Sequence, residues 1–71
     1  MENYDGKAIL VKFNNSRTDL NIFDSNGNVV ETDIPIWKGE GKGRINIEIE
    51  RRGFKTVKKI KGEKTYLLKK L

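Results

Sequence analysis

Arg44-Ile45-Asn46-Ile47-Glu48-Ile49-Glu50 is the most regular stretch of this sequence. Three isoleucines alternate with charged or amide side chains. A period of two places the isoleucines on one face of a β-strand and the other four side chains on the solvated face. The stretch reads as a half-buried strand, and its neighbours can be placed around it.

Arg51-Arg52-Gly53 follows as a turn, Phe54 to Ile60 as another strand, Lys61-Gly62-Glu63 as a turn and Lys64 to Leu71 as the last strand. Tyr66 and Leu68 share one face of that strand, with Thr65, Leu67 and Leu71 on the other. Phe54, the first apolar residue after a turn, is assigned to the core. A two-residue loop at Arg52-Gly53 puts Phe54 with the isoleucine face, and a three-residue loop puts it opposite; both registers stand.

On the N-terminal side, Trp37 to Arg44 carries glycine at Gly39, Gly41 and Gly43 and reads as a flexible loop. Pro35 has no N–H for a ladder and belongs at a sheet edge or strand start. Asp19 to Ser25 and Asn28 to Asp33 form a hairpin across Asn26-Gly27, the strongest short hairpin signal. A two-residue loop sets Phe23 opposite Val30 and Leu20 opposite Asp33. The second pairing is poor and calls for a bulge. Lys7 to Phe13 is the first strand, apolar enough for burial on both faces, after a tail at residues 1–6. No ten-residue segment shows a helical apolar stripe.

Composition agrees. Eight Ile, four Val and four Thr stand against one Ala, which favours strands. The expected fold is all-β: one small domain over residues 1–71, an antiparallel β-sandwich or barrel of about six strands, from turn signals recurring every 8–12 residues. A chain of 71 residues has a thin core. It contains no Cys and no His, which excludes disulfides, Cys/His zinc sites and Ser-His or Cys-His nucleophile pairs. The expectation is no enzyme, no catalytic residue, no metal and no cofactor. No apolar run approaches the ~18 residues of a membrane span. The N-terminus lacks the basic and apolar regions of a secretory signal, so the expected compartment is the cytoplasm, or outside it for a domain excised from a longer protein.

Three motifs resolve into bland readings. Asp24-Ser25-Asn26-Gly27-Asn28 has oxygen side chains at calcium-loop spacing, but Pro35 stands where an EF-hand needs its bidentate Glu, so it reads as a turn. Gly39-Glu40-Gly41-Lys42-Gly43-Arg44 lacks the Ser/Thr of a P-loop, and a strand is expected to follow it. Glu48 and Glu50 fall on one strand face about 7 Å apart, where pairing with Lys55 or Lys59 is a better account than acid–base chemistry.

Charge is the strongest functional clue. Residues 1–36 hold three basic and six acidic side chains, a net of −3, whereas residues 37–71 hold twelve and four, a net of +8. The basic set is Lys38, Lys42, Arg44, Arg51, Arg52, Lys55, Lys58, Lys59, Lys61, Lys64, Lys69 and Lys70. Nucleic-acid platforms combine such charge with exposed aromatics. Trp37, beside the glycine loop, is the best candidate, and Tyr66 fits either core or surface. No RNP, KH or cold-shock motif accompanies them.

The segments Thr32-Asp33-Ile34-Pro35-Ile36 and Ile45 to Val57, with Gly53-Phe54-Lys55 at a "G-Y-K" position and Asp24-Ser25-Asn26-Gly27 at a "D-G" hairpin, resemble the PEGA family. These are small β-sandwich repeats allied to transthyretin-like and carboxypeptidase-regulatory-like modules. The resemblance implies a non-catalytic, extracytoplasmic module that binds or spaces proteins or surface polymers. The expected function is thus a non-enzymatic binding module. It would contact a protein or surface polymer through its strands, an open strand edge included, and through the Trp37–Arg44 loop. The alternative is a small basic DNA- or RNA-binding regulatory protein using the C-terminal half. The binding residues expected are Trp37, Lys38, Lys42, Arg44, Arg51, Arg52, Lys55, Lys58, Lys59 and Tyr66.

Overall fold

A computed structural model describes residues 3–60, 62 and 64–71, and all of these but Lys42 with their side chains. The Met1-Glu2 end of the expected tail, and Lys61 and Glu63 of the expected turn, lie outside the described residues. The elements are β1 (Gly6–Lys12), β2 (Arg17–Asp24), β3 (Val29–Trp37), α1 (Gly41–Arg51), β4 (Phe54–Lys59) and β5 (Thr65–Lys70). The five strands form one open antiparallel sheet in the order β3-β2-β1-β5-β4. The antiparallel, mostly β character matches the expectation. The count and the layering do not: the sheet is single and open where a sandwich or barrel was expected, and one expected strand is a helix, which crosses one face of the sheet from the β3 edge to the β4 edge.

That helix is the stretch Arg44 to Glu50, so the strand reading is corrected, and with it the flexible loop expected before Arg44. At 3.6 residues per turn Ile47 is rotated about 200° from Ile45, while Ile49 returns to the Ile45 side. Ile45 and Ile49 are buried and Ile47 is 51% exposed. The alternation was therefore half accident: two isoleucines four apart face the sheet, and the third faces water. Isoleucine lowers helix propensity by a few tenths of a kcal/mol. Burying an isoleucine side chain returns about 1.5–3 kcal/mol, so packing decides.

A charge ladder at the same spacing supports the helix. Glu40, Arg44, Glu48 and Arg52 stand four apart, and each consecutive pair is joined, at 3.3, 2.8 and 2.9 Å. The helix stops at Gly53, whose φ of +86° suits glycine and whose N–H donates to the Glu50 carbonyl at 3.0 Å. The Arg51-Arg52-Gly53 reversal is thus a helix C-cap, not a hairpin.

The hairpin at Asn26-Gly27 is present. The Asp24 carboxylate accepts the N–H groups of Asn26 and Asn28, each at 2.9 Å, which is the turn reading of this segment. Its register differs from a two-residue loop: Phe23 pairs with Val29, and register shifts on either side of Ile22 bring Leu20 opposite Ile34. The expected bulge is there, and it replaces the poor Leu20–Asp33 pairing with an apolar one. Asp33 adopts a φ of +59°, with its N–H held by the Asn21 side chain at 2.9 Å.

The core lies between the helix and the inner face of the sheet. It contains Ala8, Leu20, Ile22, Ile34, Ile36, Ile45, Ile49, Phe54, Tyr66 and Leu68, with Leu10 packed against it. Phe54 joins the isoleucine side, and Tyr66 and Leu68 share the inner face as expected. β1 is buried on its Ala8 side only; Val11 on the outer face is half exposed.

Candidate anion-binding cleft

The five strands meet the start of the helix at one end of the sheet. There the chain reverses at Asn14-Asn15-Ser16 between β1 and β2, and Lys38-Gly39-Glu40 leads from β3 into α1. A cleft of about 520 Å³ opens between these segments. Its floor is Leu10, Ile36 and Ile45. Its walls carry Lys12, Arg17, Lys38, Lys59 and Lys64, and no acidic side chain is among the described residues that line it. Gly39 and Gly41 add the start of α1, whose first turn has no acidic residue and no side-chain cap. A helix N-terminus contributes a partial positive charge and unpaired N–H groups. The cations and neutral polar walls favour an anion, and the helix end adds to this in part, since Glu40 at the N-cap is bonded to the Trp37 N–H and to Arg44.

These cations differ in kind from the arginines of the helix. Lys12, Lys38 and Lys64 make no ion pair among the described residues. Lys59 makes none either and lies 5.6 Å from the centre of the Tyr66 ring. Arg17 is bound to Asp19 at 2.6 Å and stacks over Phe13 and Trp37. By contrast Glu48, only 4% exposed, gathers Arg44, Arg51 and Arg52 at 2.8, 3.6 and 2.9 Å. Arg52 also reaches Glu31 of β3 at 2.7 Å. The hydrogen bond from Arg52, then the charges of Arg44 and Arg51, hold the Glu48 carboxyl below its usual range against the desolvation that would raise it. The Arg52 hydrogen bond lowers Glu31 in the same way. The Glu31 and Glu48 hydrogen bonds raise Arg52. This network ties the helix to β3; its charge is spent internally.

The expected binding residues therefore separate. Trp37, Lys38 and Lys59 line the cleft. Lys42 sits in the first helical turn. Arg44, Arg51 and Arg52 belong to the Glu48 network. Lys55 and Lys58 pair with Lys69 and Leu67 on the outer face of the sheet, away from the cleft. Tyr66 is buried under Lys59. Glu48 and Glu50 do not share a face, since Glu50 is exposed and Glu48 pairs with arginines rather than with Lys55 or Lys59. Lys12, Arg17 and Phe13 went unnoticed because they lie in the acidic half of the sequence.

Among the described residues no cluster of acidic side chains is arranged to hold a metal, and no helix is long and apolar enough to cross a membrane. No protein-family model matches the chain, and no curated protein or solved structure matches it.

Proposed function

We propose that the protein is a non-enzymatic binding module for an anionic polymer, which it takes up in the cleft between α1 and the sheet. The observation that carries this reading is the lining: five basic side chains and a helix N-terminus converge there, no acidic residue is among the described residues that line it, and only Asp19, on Arg17, and Glu40, at the helix N-cap, stand next to it. Four of the five are lysines without an ion pair among the described residues. Such a surface raises the local concentration of polyanions and releases counterions when phosphates or sulfates are neutralised.

The test is binding of labelled heparin, polyphosphate and oligonucleotide at low salt, followed by a salt titration. Lys12→Glu with Lys64→Glu should weaken binding at least tenfold, and affinity should fall steeply as salt rises. Lys55→Glu with Lys69→Glu, at the far end of the outer face, should lower it much less. Loss confined to the second pair moves the site out of the cleft, and no binding to any polyanion removes the reading.

A second reading follows from the sheet's outer face, which α1 does not cover and where Val11 and Val29 are exposed. A protein partner docking there would bind with little salt dependence.

A further inference from the structure

Beside the cleft, at the same end of the sheet, lies an aromatic pair that a simple polyanion does not require. Phe13, just beyond β1, is 63% exposed and Trp37, at the end of β3, is 48% exposed. The Arg17 guanidinium carbon lies 4.5 Å from the centre of the Phe13 ring and 5.7 Å from that of Trp37. Arg17 is itself fixed by Asp19 at 2.6 Å. The guanidinium therefore contacts both rings at this end of the sheet. Trp37 lines the cleft, Phe13 stands beyond its lining, Arg17 and Trp37 lie on the face opposite Thr18 and Ile36, and both rings keep a large share of their surface in water. An exposed ring held by a cation–π contact loses little conformational freedom when a second flat group stacks on it.

We infer that the anionic polymer is a single-stranded nucleic acid, with backbone phosphates among Lys12, Lys38 and Lys64 and unpaired bases stacked on Phe13 and Trp37. This rests on the anion-binding reading of the cleft and goes beyond it by naming the ligand class. Four lysines without an ion pair among the described residues select a polyanion. Exposed rings beside them select one that carries flat apolar groups, and only unpaired bases offer their faces. A sulfated polysaccharide or polyphosphate satisfies the lysines and leaves the rings unused. A paired duplex hides its base faces.

The experiment follows the fluorescence of Trp37, the only tryptophan, while oligo(dT), oligo(rU), a DNA duplex, heparin and polyphosphate are added in turn. The single strands should quench Trp37, bind at least tenfold more tightly than the duplex, and show a log–log salt slope of about −0.7 per phosphate neutralised. Phe13→Ala should weaken oligo(dT) binding by about tenfold, the lower part of the range for one base–aromatic stack, and leave heparin affinity unchanged. Phe13→Tyr should restore the oligonucleotide affinity. Phe13 is mostly in water, so both variants should fold, and circular dichroism checks that they do. Heparin binding without oligonucleotide quenching overturns the inference and leaves the anion cleft standing. Duplex affinity equal to that of the single strand overturns it as well, as does a mononucleotide that binds as tightly as oligo(dT). No binding of any anion overturns both readings.

Discussion

Replacing Ile49 and Ile47 one at a time by alanine tests the central element of the fold. In the helix Ile49 is fully buried among the core residues, and Ile47 is half exposed on the far side. Truncating a buried isoleucine costs the transfer energy of the lost methylenes plus a cavity term, together about 2–5 kcal/mol. A sheet and one short helix relax more readily than a large core, so about 3 kcal/mol is expected for Ile49→Ala. A chain of this length has about 4–10 kcal/mol to lose, so the variant should melt more than 10 °C lower. Ile47→Ala gives up a partly wet contact and gains helix propensity, and its stability should stay within about 0.5 kcal/mol of the parent. Urea unfolding followed by circular dichroism measures both. Ile47→Lys sharpens the contrast, because the helix tolerates it and a strand would bury a lysine in the core. Equal losses for Ile47→Ala and Ile49→Ala, or an unfolded Ile47→Lys, would refute the helix.

Glu48→Gln should destabilise the fold at pH 7 by about 2 kcal/mol, below the range for breaking a fully buried pair, because Arg44 and Arg51 can rehydrate and Arg52 keeps Glu31. The Glu48 carboxyl is lowered in the folded state, so its contribution is present above the unfolded value of about 4.3 and fades as pH falls through the folded value. The gap between parent and variant should therefore close in acid; thermal melts at pH 7 and pH 2 show whether it does, and a gap that persists at pH 2 would contradict the ion-pair account. Gly6→Ala should also destabilise, by about 1–3 kcal/mol, since a Cβ there would stand 2.5 Å from the Phe23 carbonyl oxygen. Denaturant titration measures that loss, and an unchanged midpoint would mean that β1 and β2 separate at no cost.

Most of the sheet can be read from local signals. Asn26-Gly27 marks the hairpin, Pro35 lies on the edge strand β3, and Tyr66 and Leu68 share a face because a pleated strand leaves no other arrangement. The helix escapes such a reading because Ile45, Ile47 and Ile49 satisfy a period of two perfectly. The spacing of Glu40, Arg44, Glu48 and Arg52 is the signal that breaks the tie: charges four apart pair along a helix and alternate with nothing in a strand. The cleft is legible only in part for a different reason. Net charge by segment counts Arg44, Arg51 and Arg52 as available, whereas folding pairs them with Glu48. It also hides Lys12, which sits in an acidic half and reaches the site only because β1 ends between β2 and β5.

The pairing of β1 with β5 has a kinetic side. Gly6 to Ile9 lie against Thr65 to Leu68, so the centre of the sheet joins residues about sixty positions apart in the chain. The meander β1-β2-β3 can form early from local turns. Until β5 has been synthesised, however, β1 offers the ribosome-bound chain a free edge and an unfilled slot. Closing that slot is the slow, high-contact-order step, and in the interval the nascent meander is open to pairing with a neighbouring chain.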